Sequence, residues 1–463
     1  MMSWTISGLC TFLAASQFNV SVIPLPTESA DVFLIPGDSH AVADVCVLHG
    51  NNLQAHSMTK GAVPWSLTLP EGTSAFDILH DDGTGGRTLL AVCGERILSY
   101  NVPPAGPDAA PRELFRLQTR LAEPDFGPYP HVLWVNRGER CLLALPRGEA
   151  LELRTMEGQQ VETFPMRPET YDDGSVHRAF RAYPTGRNWI GSRAAFEFRI
   201  NTEIVLEAVL PEDLAPPPAK IEDSRVWRVA RWRLSETDPS TWPSFPLRTK
   251  GEAAARVFFI ETGGQGTRLR LGEPEASTTE SDEPNWKIGP ERRYPGTILV
   301  GEMEDLPDFN GDGYVDLLMW KVEEPGVSVE ALTRAVMGGS WPIRFTVHLF
   351  DPKEKRYEPR PSTGWECRVP ILWFLDPDSE MLSRTLILPD LDDDGRTDFA
   401  AGTNPKEFSV WLYRDGFSDK PDHTARFPEE IERLEFCTPV QEGKPPAIGL
   451  RGKSAVYVLR FAE

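Results

Sequence analysis

Two short segments of the chain combine closely spaced oxygen-bearing side chains with a glycine. With Asp308 and Asp390 as position 1, oxygens stand at positions 1, 3, 5 and 9, and glycine stands at position 6. The backbone carbonyl of position 7 can add a further oxygen. The ten residues that would supply ligands are Asp308, Asn310, Asp312, Tyr314, Asp316, Asp390, Asp392, Asp394, Arg396 and Asp398. Ca²⁺ is a hard cation that takes about six to eight oxygen ligands, so the segments predict two calcium sites.

The residues that follow each segment exclude an EF-hand. An EF-hand has a bidentate glutamate at position 12 and flanking helices, whereas position 12 is Met319 in one segment and Ala401 in the other. Apolar runs follow both segments, at residues 317–320 and 399–401. A short apolar run directly after a turn is typical of a buried strand, so each loop is expected to lead into a β-sheet.

At residues 308–316 and 390–398 the chain resembles the FG-GAP repeat family, also called VCBS repeats. This family includes the calcium-binding β-propeller of the integrin alpha-chain head, and it carries Asp-x-Asp/Asn-x-Asp-Gly-x-x-Asp followed by an apolar strand. Both segments match that pattern at every ligand position. The resemblance implies a β-propeller in which some blades carry a calcium loop. It also implies that partners or carbohydrates bind through loops on one propeller face.

A second pattern repeats along the rest of the chain: an apolar run, a glycine and a further apolar alternation. It occurs at residues 45–53, 89–97, 142–151 and 447–456, and in a looser form at 401–411. Two strands joined through a glycine-containing turn form a β-hairpin. Intervals of about 44 to 54 residues fit one four-stranded blade. Units near residues 44, 88, 141, 189, 316, 398 and 446 predict an all-β propeller with seven blades of four antiparallel strands.

The interval between the units near 189 and 316 is too long for one blade. Residues 205–295 are therefore expected to form an insertion, although the strand-like residues 256–260 leave an eighth blade open. A second insertion is expected at about 322–342, with a helix over residues 327–336. Residues 345–350 and 356–358 are then expected to pair as the hairpin that completes this blade.

The two ends of the chain are expected to share one blade. Residues 18–24 alternate like a strand before the first unit, and the last unit stops after its third strand at residues 455–461. A propeller must cover its strand edges, so the N-terminal strand is predicted to close the last blade. An unpaired N-terminal arm is the alternative. Residues 17–463 would then form a single propeller domain.

The other hairpins are expected to lack calcium. The loop positions before two of them, around Asp38 and Asp82, keep a turn but have lost the full set of oxygen ligands. Two bound ions are therefore expected and no more.

Composition and charge narrow the class of partner. The formal net charge of −21 argues against nucleic acid and against an anionic membrane surface. No apolar run is long enough to span a bilayer, so membrane insertion is not expected. Residues 1–16 are uncharged and end in small residues, which predicts a signal peptide. The six cysteines show no metal-ligand spacing, and Cys46, Cys93 and Cys141 in strand-like runs are expected to be buried free thiols.

The function predicted from these features is non-enzymatic. The eight histidines are scattered, and no nucleophile elbow or phosphate-binding glycine pattern is present, so no catalytic residue is assigned. We expect a calcium-binding scaffold that binds a protein or carbohydrate partner in an extracellular or periplasmic setting, where calcium is abundant enough to fill such loops. A polysaccharide-acting hydrolase or lyase on the same scaffold and a structural subunit of a surface assembly are the alternatives.

Overall fold

The chain is all-β in the parts that the computed structural model describes. The described residues are 18–36, 42–57, 64–80, 87–119, 121, 128–130, 133–137, 140–148, 150–165, 167–168, 187–190, 193–199, 205–209, 228–229, 244–249, 252–261, 266–274, 286–300, 307–322, 339–370, 385–437 and 447–461. The elements that they form are β-strands, as the sequence predicts. Within these ranges there is no helix with the length and hydropathy needed to cross a membrane.

The strands are numbered β1 to β36 in chain order. The first half comprises β1 (Phe18–Pro24), β2 (Asp31–Pro36), β3 (Val42–His49), β4 (Asn52–Ser57), β5 (Trp65–Thr68), β6 (Thr73–His80), β7 (Arg87–Cys93), β8 (Arg96–Val102), β9 (Arg112–Arg116), β10 (Tyr129–Pro130), β11 (Trp134–Arg137), β12 (Arg140–Arg147), β13 (Ala150–Arg154), β14 (Gln160–Pro165), β15 (Arg167–Pro168), β16 (Arg187–Ile190), β17 (Arg193–Arg199) and β18 (Val205–Val209). The second half comprises β19 (Arg228–Val229), β20 (Ser244–Thr249), β21 (Glu252–Glu261), β22 (Thr267–Pro274), β23 (Trp286–Ile288), β24 (Arg292–Tyr294), β25 (Thr297–Val300), β26 (Leu317–Val322), β27 (Ser340–His348), β28 (Phe350–Asp351), β29 (Arg356–Tyr357), β30 (Thr363–Pro370), β31 (Phe399–Asn404), β32 (Glu407–Trp411), β33 (His423–Arg426), β34 (Ile431–Cys437), β35 (Ala447–Gly452) and β36 (Ala455–Phe461).

Residues 23–223 form one compact unit, whose described strands make four sheets. Three sheets follow chain order, namely β2 to β5, β6 to β9 and β11 to β14. The second of these is extended by β10, which runs parallel to β6. In the fourth sheet the order is β15-β18-β17-β16.

Residues 1–22 and 224–463 form the other compact unit. Its described strands make four sheets of three or more strands: β20-β21-β22-β23, with β24 also beside β22; β19-β25-β26-β27-β30; β31-β32-β33; and β34-β35-β36-β1. A bridge between Ile387 and Ala400 adds a first strand position beside β31. The short strands β28 and β29 form a separate two-stranded ribbon.

The hairpins predicted from the glycine pattern are confirmed. Strands β3 and β4, β7 and β8, and β12 and β13 are antiparallel pairs joined by two-residue turns that begin at Gly50, Gly94 and Gly148. Each of these glycines has a φ of 56 or 58°, a left-handed conformation that glycine adopts without steric cost. The hairpins at 401–411 and 447–456 are the pairs β31/β32 and β35/β36.

In each unit, sheets that follow one another in the chain stack face to face at several places. Neighbouring side chains on a strand point to opposite faces of its sheet. Leu89 therefore packs in a core with β3 and β4, whereas Leu90 packs in a core with β12 and β13. In the other unit Leu317 shares a core with β21 and β22, and Leu318 shares one with β31 and β32. An apolar core thus lies on both faces of these central strands.

Two expectations about the middle of the chain change. The described sheets of three or more strands number eight, one more than the seven blades predicted. The additional sheet, β20 to β23, lies inside residues 205–295, and the number of blades stays a prediction. The single domain and the closed ring stay predictions. Residues 1–16 and 327–336 lie outside the described residues.

The predicted role of residues 356–358 was wrong. They were expected to complete the sheet of β26 and β27, but β29 pairs with β28, and β30 lies beside β27 instead. The reason is that β27 ends at His348 and the N–H of Phe350 donates to the carboxylate of Asp316, 2.9 Å away. The chain therefore turns out of the sheet before β28.

The N-terminal strand lies where the sequence places it. Strand β1 neighbours β36 in a four-stranded sheet, so residues 18–24 and the last strand share one sheet. Phe18 is 5% exposed, and its ring lies 4.9 Å from that of Phe461 and 5.5 Å from that of His423, between centroids. Val22, on the same strand, is 58% exposed. Phe18 is thus a main apolar anchor of β1.

Replacing Phe18 tests whether β1 contributes to the stability of this sheet. Phe18→Ala removes a buried aromatic ring and should lower the free energy of unfolding by about 3 kcal/mol. Val22→Ala, which removes an exposed side chain from the same strand, should cost about 0.5 kcal/mol or less. Urea denaturation followed by tryptophan fluorescence measures both, and equal losses would show that β1 does not pack as described.

Candidate metal centre

The two predicted loops occupy equivalent places in two sheets. The first loop, residues 308–316, leads directly into β26, the strand beside β25. The second loop, residues 390–398, leads into β31 and follows Ile387, which bridges to that strand. Both loops therefore connect strand positions that are neighbours in one sheet. The loop positions around Asp38 and Asp82, which are expected to lack calcium, lie outside the described residues.

The backbone follows the same path in both loops. Position 6 has a positive φ in each, 89° at Gly313 and 81° at Gly395. Position 4 also has a positive φ, 71° at Gly311 and 61° at Asp393. Glycine adopts this conformation freely, and aspartate is among the few other residues that tolerate it. The sequence pattern predicted the glycine at position 6 but missed the requirement at position 4.

The carboxylate at position 1 holds each loop in its turn. Asp308 accepts hydrogen bonds from the backbone N–H groups of Asp312 at 3.1 Å and Gly313 at 2.7 Å. Asp390 accepts from Asp394 at 3.2 Å and Gly395 at 2.9 Å. A short polar side chain that bonds the backbone a few residues later stabilises a turn. The loops are therefore shaped by their own ligand residues.

The carboxylate at position 9 joins the loop to the sheet. Asp316 is 2% exposed, and it accepts the N–H of Phe309 on Oδ2 and the N–H of Phe350 on Oδ1, each at 2.9 Å. These two donors lie at position 2 of the loop and just after β27. Each carboxylate oxygen has a second lone pair that stays available to a cation.

Asp398 repeats this arrangement in the second loop. It is fully buried and accepts the N–H of Leu391 and the N–H of Tyr413, each at 2.7 Å. Leu391 lies at position 2 of its loop, and Tyr413 lies just after β32. The position 9 aspartates therefore have a structural role that the ligand pattern alone did not indicate.

Burial makes the charged form of these carboxylates unfavourable. Desolvation raises the pKa of Asp316 well above its usual range and raises the pKa of Asp398 to about 8, although the backbone N–H groups partly oppose this. Desolvation also raises the pKa of Asp308, Asp390 and Asp392, and neighbouring aspartates add to the effect. A bound cation would stabilise the charged form of all five.

The second loop brings three predicted ligands together. Asp390, Asp392 and Asp398 each present a carboxylate oxygen within 4.8 Å of the other two. Oxygens bound to one Ca²⁺ at about 2.3–2.6 Å cannot lie more than about 5 Å apart, so this spacing fits a single ion. The ligand atoms are all carboxylate oxygens, which a hard cation prefers. Within the described residues this is the acidic group that reaches such a spacing.

The other predicted ligand residues form hydrogen bonds within the protein. Asp394 accepts the N–H of Arg396 at 2.9 Å, and the Arg396 guanidinium donates to the carbonyl of Arg414. In the first loop the amide nitrogen of Asn310 donates to Asp312 at 2.9 Å, and the Asp312 carboxylate accepts the N–H of Tyr314 at 2.9 Å. The first loop therefore shares the backbone of the second without the same convergence of carboxylates.

The expected state of the cysteines is confirmed in part. Cys46 and Cys93 are buried, whereas Cys141 is partly exposed.

Comparison with known proteins gives no family. No protein-family model matches the chain, and no curated protein matches it. Solved structures that it resembles include the β-propeller domain of Vanderwaltozyma polyspora Nup133, at 9% identity and a TM-score of 0.32, over 96% of this chain and 97% of that one.

Two further solved structures are similar in the same degree. The Cps50 (Swd1) β-propeller domain of Myceliophteria thermophila has 12% identity and a TM-score of 0.28 over 95% of this chain and 99% of that one. BBS1N in complex with ARL6DN has 9% identity and a TM-score of 0.26 over 84% and 94%. These TM-scores are too low to carry an argument about this chain.

Asparagine substitutions separate the structural carboxylates from the ligand carboxylates. Asp398→Asn leaves a buried backbone N–H facing an amide donor, so it should lower the free energy of unfolding by about 1–3 kcal/mol even in chelator. Asp392→Asn removes a charge that is repelled by Asp390 and Asp394, so in chelator it should cost nothing. Urea denaturation in EDTA measures both variants, and a loss as large for Asp392→Asn would contradict the distinction.

Proposed function

We propose that this protein is a calcium-binding β-propeller that acts as a non-enzymatic interaction scaffold. The observation that carries the proposal is the convergence of Asp390, Asp392 and Asp398 on one point in a loop whose backbone is repeated at residues 308–316. Ca²⁺ would be held by the ligand residues of each loop, and its charge would offset their mutual repulsion.

The propeller part of the proposal is supported by the order of the sheets. A propeller repeats a four-stranded antiparallel sheet and packs each blade on the next along the chain. Four of the eight described sheets have four strands, and cores lie between consecutive sheets within each unit. Strand β1 neighbours β36 in the last sheet. A propeller whose last blade is completed by an N-terminal strand requires this pairing. We infer blades from these sheets and put their number at eight.

The ions would act on folding rather than on a substrate. Each loop lies at a connection between strands, and its position 9 aspartate is bonded to backbone N–H groups of its own sheet. An ion bound there would neutralise buried charge and hold together the two strand positions that the loop connects. A ligand that binds the folded state alone stabilises it by mass action.

The setting and the partner are part of the same proposal. Loops of this kind fill at the millimolar calcium of extracellular or periplasmic space, so we place the protein there. We propose a protein partner, with a carbohydrate as the other class, bound through loops between strands. A pull-down in calcium and in chelator, with glycan binding measured in parallel, distinguishes the two.

Removal of calcium tests the proposed function directly. At free calcium about a hundredfold above the dissociation constant, each ion adds about 2.7 kcal/mol to the free energy of unfolding. Chelator should therefore lower the Tm by several degrees, and Asp392→Asn should remove about half of that shift. Differential scanning calorimetry with and without EDTA gives the result.

Asp393→Asn is the matched control. It removes one negative charge from the same loop at position 4, which is outside the ligand set, and asparagine tolerates the φ of 61° found there. Its calcium-dependent shift in Tm should equal that of the unchanged protein. A Tm that ignores EDTA, or a shift that Asp393→Asn removes as fully as Asp392→Asn, would overturn the calcium assignment.

A further inference from the structure

The two loops are in direct contact although about 80 residues separate them. The N–H of Asp308, at position 1 of the first loop, donates to Oγ1 of Thr397 at 2.9 Å. The N–H of Thr397, at position 8 of the second loop, donates to the carbonyl of Asp308 at 2.9 Å. Both polar groups of the Asp308 backbone are therefore held by one residue of the other loop.

The contact extends along the faces of the loops. A Cβ added to Gly311 would lie 3.0 Å from the carbonyl oxygen of Gly395 and 3.5 Å from Cγ of Arg396. No heavy atom lies within 4 Å of a Cβ added to Gly395 itself. A side chain at Gly311 would therefore meet the backbone of the second loop.

A second connection runs through the apolar side of the first loop. Phe309, at position 2, is fully buried, and its ring lies 5.8 Å from that of Tyr413 and 5.5 Å from that of Phe417. The N–H of Tyr413 donates to the carboxylate of Asp398, the position 9 ligand of the second loop. The N–H of Phe309 donates to Asp316 in the same way. Phe309 of the first loop thus packs on Tyr413, whose N–H binds the position 9 carboxylate of the second loop.

We propose that the two loops form one coupled unit in which binding of calcium at either site raises the affinity of the other. This inference rests on the proposed function, because it concerns the same two sites. Thr397 precedes Asp398 in the chain and holds Asp308 in space, so a ligand of each site is attached to the same residue. Fixing Asp398 on an ion therefore fixes Thr397, and with it the backbone of Asp308.

Order gives the coupling its positive sign, and it must outweigh the charge of the first ion. A loop that is already ordered by its neighbour loses less conformational entropy when it binds its own ion. The two loops together carry eight aspartates and one arginine, a formal charge of −7 over residues 308–316 and 390–398. One Ca²⁺ reduces that charge to −5, which weakens the attraction for the second ion but leaves its site net negative.

Isothermal titration of the full chain with CaCl₂ measures the coupling. Asp392→Asn silences the second loop and Asp312→Asn silences the first, so each variant gives the affinity of one site while the other is empty. The product of the two association constants of the unchanged protein, divided by the product of these single-site constants, is the coupling factor. We expect a factor of roughly 2 to 12, the range that one hydrogen bond can supply.

Thr397→Val and Thr397→Ser locate the coupling. Valine removes the acceptor of the Asp308 N–H, so the factor measured in that background should fall towards one, whereas serine keeps the hydroxyl and should preserve it. Gly311→Ala, which inserts a methyl group between the loops, should also lower the factor if Thr397→Val does not fold. Circular dichroism confirms that each variant retains its sheets.

The outcomes separate this inference from the proposed function. Two bound ions with a factor of one or below in the unchanged protein would overturn the coupling and leave the calcium sites intact. No heat of binding at millimolar CaCl₂ in the unchanged protein would overturn the proposed function and the coupling together. A factor that survives both Thr397→Val and Gly311→Ala would overturn the contact between the loops as its cause.

Discussion

A buried carboxylate at the start of a strand is the constraint on which this part of the protein depends. Asp316 and Asp398 each accept the N–H of the second residue of their loop and the N–H of a residue that follows a neighbouring strand of the same sheet, β27 for Asp316 and β32 for Asp398. Each is almost inaccessible to solvent, so its negative charge is costly unless a cation compensates it. The shape of the loop, its bond to the neighbouring strand and the ion that we propose have this one origin.

The stacking of sheets links each loop to the neighbouring sheet as well as to its own. Phe309 and Leu391, next to the position 1 ligands, are buried, so each loop has an apolar side in a core and a polar side that carries the oxygens. Phe309 packs on residues of the following sheet. Two neighbouring sheets are therefore joined both by a core and by the edges of two charged loops, which is why we regard them as one unit.

The sequence predicted those features that depend on residues close together in the chain. Gly50, Gly94 and Gly148 marked hairpins correctly because a tight turn needs a positive φ at that position. The ligand residues could be predicted because calcium restricts both residue types and spacing, and their role stays a prediction. The sheet of β20 to β23 was placed in an insertion, because the interval between the units near 189 and 316 is too long for one blade. The contact of Asp308 with Thr397 had no sequence signal, because it depends on how two sheets pack.

The central claim is that the two loops are calcium sites, and crystallography can test it most directly. Crystals grown in CaCl₂ and measured at long wavelength give an anomalous difference map in which calcium is visible. The account predicts two peaks, one of them about 2.3–2.6 Å from carboxylate oxygens of Asp390, Asp392 and Asp398 and the other among the ligands of the first loop. Well-ordered loops with no anomalous peak at millimolar calcium would contradict it.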